Sequence, residues 1–473
     1  MSKSIHAFQD DALGTMDATG IAEAIRTKKV SAEEVAKATI ARLEKVNPVL
    51  DAVVLNTFDE ALNIKGANEN GAFYGVPTYV KDNDHIKGYP TQIGTKTFKA
   101  KPAAKNGIFV DLMQSTGLNI IGKSTMPEFG LNCSTENPKY NITRNPWSTD
   151  HTPGGSSSGS GALVASGVVA IAQANDGAGS TRIPAACCGL VGLKPSRDRL
   201  TNFEGSEFLP VNIGYQGVLT RSVRDTAMFY AEAEKFYKNS KLPAMGLVKD
   251  PLKRRIKVAI MENPAAGQAG SVDEDTYRVM METVTLLESL GHEVEQIKIP
   301  VDMGDMMYHY LNYYGFLAFV QSKLGKILLK SSINQDDLEP FTYGLSNRFK
   351  KNILDFPKSV KILKTTVPEL EKQIFDQFDI LLTPITSIRT PEIGYLSPLL
   401  SSKEIVKRSS FYAPFPGMQN ATGAPALALP MGRDSRGLPL GMQFSAKLGQ
   451  DALLLELAFE IEAAQPWKHL YEM

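Results

Sequence analysis

Between His151 and Asn175 the chain carries no Asp, Glu, Lys or Arg over 25 residues. Inside that stretch the run GGSSSGSG, Gly154 to Gly161, passes straight into the apolar sequence ALVASGVVAIA. A segment without charge is either core or the lining of a site, because solvated surface is rich in Lys, Glu, Asp and Arg. The serine and glycine run therefore reads as a loop feeding a buried helix, not as a flexible tether. A second charge-free stretch spans Ser409 to Gly432. Around these two, short apolar runs alternate with helical stretches: Ala52 to Leu55, Thr78 to Val80, Asn119 to Ile121, Val168 to Ala172, Lys257 to Met261, Glu293 to Ile297, Asp379 to Leu382, Pro425 to Leu429 and Gly441 to Phe444. That alternation predicts an α/β layer fold on a central, mixed sheet. Asp17 to Lys28 and Ser31 to Val46 read as amphipathic helices, the second opened by a capping box between Ser31 and Glu34. Residues 1–50 are thus a helical cover, and with no repeat or low-complexity linker a single domain over residues 1–473 is expected.

Charge and cysteine content exclude several function classes. The 473 residues hold 51 Lys plus Arg against 51 Asp plus Glu, so no basic excess draws the chain to nucleic acid or to an anionic membrane. The cluster Lys253, Arg254, Arg255 and Lys257 reads as a solvated loop before a strand. Only Cys133, Cys187 and Cys188 occur, two of them adjacent, which makes neither a disulfide framework nor a zinc pattern. No compact His and Glu constellation appears either, so no metal and no cofactor is expected. The N-terminus lacks the apolar core of a signal peptide, and no apolar run approaches the ~20 residues of a membrane span. A soluble, cytoplasmic protein is the expectation.

Two motifs match on paper and fail on context. Gly117 to Ser124, GLNIIGKS, fits a phosphate-binding loop with Lys123 in the lysine slot. That loop must follow a strand and open a helix; here a helical segment, Phe109 to Ser115, precedes it and Gly117 reads as that helix's cap. Gly155 to Gly159, GSSSG, fits a nucleophile elbow with Ser157 as the attacking group. No strand precedes it, and of the six histidines only His85 and His151 lie near informative sequence, so a Ser-His-Asp esterase is a secondary reading.

The strongest signal runs from Pro153 to Arg197. After the charge-free stretch comes a turn, Asp176-Gly177-Ala178-Gly179-Ser180, whose small residues let backbone amides converge to hold an oxyanion. This block resembles the signature of the amidase signature family, whose usual form is GGSSGGS followed by DTGGSIRxPA. Matched residue by residue, the resemblance puts the nucleophile on Ser180 and a bridging serine, held by a cis peptide bond in that family, on Ser156. It puts the base on Lys81, within the pattern Gly75-Val76-Pro77-Thr78-Tyr79-Val80-Lys81-Asp82-Asn83. The backbone amides of Gly177, Ala178, Gly179 and Ser180 are then the oxyanion hole, with Asp176, Arg182 and Ser157 as supporting residues. GLNIIGKSTMPEFG, RNPW, LLTPI, TGAPALALPMG and GLPLGMQ extend the resemblance over nearly the whole chain. It implies the amidase signature fold, a large twisted mixed sheet covered by helices on both faces, with residues 75–200 as catalytic core and 300–420 as variable pocket segments. It also implies hydrolysis of a small-molecule amide through a serine acyl-enzyme, with neither nucleic acid nor membrane as partner and a homodimer left open.

The chemistry asks for the same residues. A serine hydroxyl needs a neighbouring base, and a lysine serves only when neutral, although an exposed amine has a pKa of about 10.4. Lys81 after an apolar strand is placed for burial to lower that value.

Two positions depart from the usual pattern. Ala178 stands where the family has Gly and would be strained at positive φ. Ile183 gives RIPA, where the A subunit of the glutamine-dependent tRNA amidotransferase has RQPA, so a stand-alone hydrolase is the main reading and that subunit the alternative. A non-catalytic binding protein is a further one, disfavoured by the joint presence of Lys81, Ser156 and Ser180. TRNPW, NDGAGS, RIPA and TPEIG are similar to the branch that holds 6-aminohexanoate cyclic dimer hydrolase. Met306 to Phe319 and Ser409 to Gln419 are rich in Met and aromatics; they read as core or as the walls of a pocket for an uncharged, fairly apolar amide.

Overall fold

The computed structural model describes residues 4–261, 272–297, 303–323 and 333–473. Asp17 accepts from the Gly20 amide and opens the helix Ala18–Arg26. The capping box of Ser31 and Glu34 is formed at the start of Ala32–Leu50. Arg42 of this second helix is buried and donates to Asp11 and to the Gly167 carbonyl, tying the N-terminal helices to the loop after Ser158–Ala165.

Eight strands form one mixed sheet in the spatial order Glu293–Gln296, Lys257–Ile260, Ile380–Pro384, Pro439–Ala446, Ala426–Arg433, Val191–Lys194, Tyr215–Thr220, Ile171–Asp176. The first three run parallel and every later pairing is antiparallel. Helices Arg182–Cys188, Val223–Phe236, Glu274–Ser289 and Asp451–Ala464 pack on it, so central strands such as Ile380–Pro384 and Pro439–Ala446 are buried along their whole length, while the edge strand Glu293–Gln296 is largely exposed. A three-stranded sheet, Val53–Asn56, Asn119–Ser124, Pro77–Lys81, stands beside the last strand. There Thr78 Oγ1 donates to the Ile171 carbonyl at 3.0 Å, and the Lys81 amide to Gln173 Oε1 at 2.8 Å.

The sequence places one of these strands too early. Val168 to Ala172 was expected from its apolar run, whereas the strand is Ile171–Asp176 and includes Gln173, Asn175 and Asp176, all buried. Burial of polar side chains is sustained by partners. Gln173 Nε2 donates to Asp84 and Gln216, and the two acidic or amide groups after it belong to the site described below. Two strands of the large sheet lie outside the predicted runs, Val191–Lys194 and Tyr215–Thr220, as does the short pair Glu136–Asn137 and Asn141–Ile142; the two in the large sheet each carry a glycine where a neighbour comes close, Gly192 beside Ala185 and Gly217 beside the Tyr230 hydroxyl.

The phosphate-loop pattern has the structure its context implied. Helix Ile108–Ser115 ends at Gly117, whose φ is +94°, and the strand Asn119–Ser124 follows. Lys123 is fully buried, paired with Asp82 at 3.0 Å and donating to Thr91 and the Pro90 carbonyl, so its charge is already answered inside the protein. Among the described residues no helix is long and apolar enough to cross a membrane.

Candidate active site

Lys81 ends its strand with its side chain fully buried. Its Nζ reaches Ser156 Oγ at 2.7 Å, Ser157 Oγ at 3.1 Å and Asn175 Oδ1 at 2.7 Å. Desolvation disfavours the ammonium, and although the Asp176 charge acts the other way, the pKa is lowered to about 7. Half of the lysines are then neutral near neutrality. Ser156 follows a cis Gly155–Ser156 peptide bond. Gly155 is required there because a Cβ would lie 2.7 Å from the backbone of Cys133 and Ser134. The serine and glycine run that carries Ser156 and Ser157 enters helix Ser158–Ala165, every residue of which is buried. Its hydroxyls find internal partners: Ser160 Oγ donates to the Gln173 carbonyl at 2.5 Å, and Ser158 Oγ accepts from Thr135. Serine in place of charge is what lets this segment lie in the core and still be satisfied.

The turn after Ile171–Asp176 is fixed by one carboxylate. Asp176 binds Arg182 twice, Oδ2 to Nε at 2.9 Å and Oδ1 to Nη2 at 2.8 Å, with both side chains buried. It also accepts the Gly179 amide at 2.7 Å and the Thr181 amide at 3.2 Å. Burial works against its charge, but the Arg182 guanidinium, with the Asn420 amide and the Lys194 charge, holds it well below the usual carboxylate range. Arg182 continues to Gln443 and Asn420, so the turn is braced against the middle of the large sheet. Tyr310 donates to the Gly177 carbonyl at 2.6 Å.

Gly179, at φ +107°, is the residue that reverses the turn, and a Cβ there would meet Pro416 at 2.7 Å. Ala178 is absent from the positive-φ residues, so the methyl group in place of the family's glycine is unstrained. The Gly179 amide is committed to Asp176. Among the described residues no acceptor takes the amides of Gly177, Ala178 or Ser180.

Ser180 and Ala178 line a largely apolar cavity with Leu131, Cys133, Met307, Tyr310, Leu311, Tyr314, Phe341, Leu345, Val406, Ala413 and Gly417, and with Asn132, Ser409 and Ser410 as its polar members. Among the described residues no charged side chain lines it. Both segments read from sequence as core or pocket contribute walls: Met307 to Tyr314 from helix Met303–Lys323, and Ser409 to Gly417 from the second charge-free stretch. Met307, Leu311, Val406 and Ser410 also line an outer cleft of about 770 Å³. Ser156 lies beside Gly130, and the next residue, Leu131, lines the same cavity as Ser180. No hydrogen bond joins the two hydroxyls among the described residues; substrate binding is the step that completes such contacts in many enzymes.

Among the described residues no histidine is bonded to Lys81, Ser156 or Ser180. His85 meets Thr91, His151 meets Ser148 and Arg436, His292 meets Glu460, and His309 meets Ser359. Cys187 and Cys188 are buried beside the Tyr412 hydroxyl and the Pro153 carbonyl, and burial raises both thiols; Cys133, on the cavity wall, is pushed up to about 12. Sequence reading missed Asn175, Gln173 and Asn83. Asn83 sits inside the V-K-D-N pattern, whereas nothing in the sequence marks Asn175 except that a polar side chain interrupts an apolar strand.

The Amidase family model matches residues 34–455. "Putative amidase AmiC" of Mycobacterium tuberculosis is 41% identical over 469 residues, spanning 99% of this chain and 98% of that protein. The 6-aminohexanoate-cyclic-dimer hydrolase of Pseudomonas sp. is 31% identical over 488 residues, spanning 95% of each. The solved structure of 6-aminohexanoate cyclic dimer hydrolase complexed with substrate superposes with a TM-score of 0.85 at 28% identity, over 96% of this chain and 97% of that one. The signature block, the mixed eight-stranded sheet and these matches along the chain agree, and the protein belongs to the amidase signature family.

Proposed function

We propose that this amidase hydrolyses an uncharged, fairly apolar amide through an acyl-enzyme on Ser180. Ser180 Oγ attacks the carbonyl carbon while its proton passes to Ser156 and the Ser156 proton to Lys81. The free amides of the turn receive the oxyanion, each such donor being worth about 3 kcal/mol in the transition state. The relay then returns its proton to the leaving amine, and water cleaves the ester by the same path. The observation that carries this reading is Lys81, fully buried and bonded to Ser156 Oγ at 2.7 Å. The charge-free cavity beside Ser180 supports an apolar acyl or amine group, and the name of the cyclic-dimer hydrolase relative puts cyclic amides among the candidates. Ile183, buried beneath Gly179, weighs against the ammonia-supplying subunit of a tRNA amidotransferase. Three free cysteines fit a reducing, cytoplasmic setting.

The test is covalent labelling by a fluorophosphonate, lost in Ser180→Ala, joined to a hydrolysis screen over aliphatic amides, anilides, linear and cyclic oligoamides, urethanes and esters. Labelling that persists in Ser180→Ala, or a preference for charged amides, would sink the proposal. Because the active base is neutral lysine, kcat/KM should rise with pH through about 7, the value to which Lys81 is lowered. A rate flat across that range excludes Lys81 as the base.

Leu311 is half-buried on both the cavity and the outer cleft. Leu311→Trp is expected to raise KM for anilides about tenfold or more and to leave short aliphatic amides nearly unchanged. Equal effects on both series would show that the substrate does not pass this wall.

A further inference from the structure

Which way the lone pair of Lys81 points decides where a proton can arrive. A neutral primary amine has two N–H donors and one lone pair, and Lys81 Nζ has three oxygen partners: Ser156 Oγ, Ser157 Oγ and Asn175 Oδ1. Asn175 Oδ1 can only accept. Its amide is held in that sense because Nδ2 donates to Asn83 Oδ1 at 2.8 Å, and turning it over would set two carbonyl oxygens face to face. Ser157 Oγ donates to the Asn175 carbonyl at 3.4 Å and accepts the Asn175 amide at 3.3 Å, so towards Lys81 it too offers only lone pairs. Both N–H groups are thereby used, and the remaining direction on nitrogen faces Ser156.

We propose that Asn175, held by Asn83, is a positioning residue that reserves the lone pair of neutral Lys81 for the Ser156 hydroxyl. The inference rests on Lys81 acting as base in the proposed function. Once protonated, the ammonium sends its three N–H groups to the same three oxygens, so no donor is orphaned in either state. Only the Ser156 edge changes, from O–H donating to nitrogen into N–H donating to oxygen. Ser180 can then pass its proton to Ser156 without any other group turning.

The rate of fluorophosphonate labelling, followed against pH, reads this directly and needs no knowledge of the natural substrate. The Ser180 O–P bond forms, the P–F bond breaks, and the Ser180 proton travels through Ser156 to Lys81. Asn175→Asp keeps the shape but binds ammonium in preference to amine, so the rise of the rate with pH should move upward by about one pH unit or more. Asn175→Leu should lower the plateau by roughly 10- to 100-fold without that upward shift. Asn83→Ala frees the Asn175 amide to turn its donor end to the lone pair and should lower the plateau about tenfold. It should have no such effect beside Asn175→Asp, since a carboxylate has no donor end. An unmoved limb in Asn175→Asp, or an equal Asn83→Ala effect in both backgrounds, overturns the proposal. Thermal unfolding checks the fold of each variant, and half-buried Asn83 supplies the test by itself if Asn175→Asp does not fold. If wild-type Ser180 is not labelled at all, the failure belongs to the proposed function and not to Asn175.

Discussion

Lys81→Met is expected to lower kcat/KM by roughly 10⁴-fold or more while making the protein more stable. The loss follows from chemistry: methionine fills the same space and cannot take a proton, so Ser156 has no acceptor and Ser180 no route for its own proton. The gain in stability follows from linkage. Burial lowers Lys81 from 10.5 to about 7, so between those values the unfolded chain binds a proton that the folded chain does not. Stability of the wild type therefore rises with pH from about 7 to 10.5. Below that window both states are protonated and the whole cost of a buried ammonium, on the order of 5 kcal/mol before lost hydrogen bonds are counted, is present. Above it the cost is gone. The stabilisation by Lys81→Met should accordingly be largest at and below neutral pH and fade as pH rises. Unfolding of both proteins at a series of pH values, with activity measured on the same samples, checks this. A variant that keeps its rate, or a stability difference that grows with pH, contradicts the assignment.

The same burial explains what could and could not be read in the sequence. The serine and glycine run, the turn from Asp176 to Ser180 and the V-K-D-N pattern lie within short stretches where local chemistry and backbone conformation agree, and Lys81, Ser156 and Ser157 do come together. The strand between the two signature halves was misplaced because its last residues are polar. Gln173, Asn175 and Asp176 each face a partner far away in the chain: Gln216, Lys81 and Asn420. Local patterning cannot supply such partners, and a polar residue in an apolar run looks like the end of a strand. The oxyanion turn was foreseen as four equivalent amides, yet the Gly179 amide is bonded to Asp176. That distinction depends on where a carboxylate three residues earlier folds back, which spacing alone leaves open.

Arg182→Met should produce the other large effect, this time on fold and rate together. Asp176 would remain buried with its guanidinium partner removed, and breaking a buried ion pair from one side costs about 3–5 kcal/mol. Gln443 and Asn420 would each lose a donor as well. Arg182→Lys should not rescue, because one ammonium cannot serve both Asp176 oxygens and the two amide oxygens that the planar fork reaches at once. The turn that carries Ser180 is held through Asp176 to the Gly179 and Thr181 amides, so a shift of the carboxylate shifts the proposed nucleophile, and kcat should fall by about 100-fold. The double variant Asp176→Asn, Arg182→Met separates the two consequences. Without a buried unpaired charge it should recover a good part of the lost stability, a coupling of roughly 1–3 kcal/mol between the sites. It should not recover the rate, since nothing then braces the turn against the sheet. Strictly additive stability losses would mean that Asp176 stays solvated or protonated in the single variant. Recovery of the rate along with stability would mean that the pair serves the fold alone and that the position of Ser180 is set elsewhere.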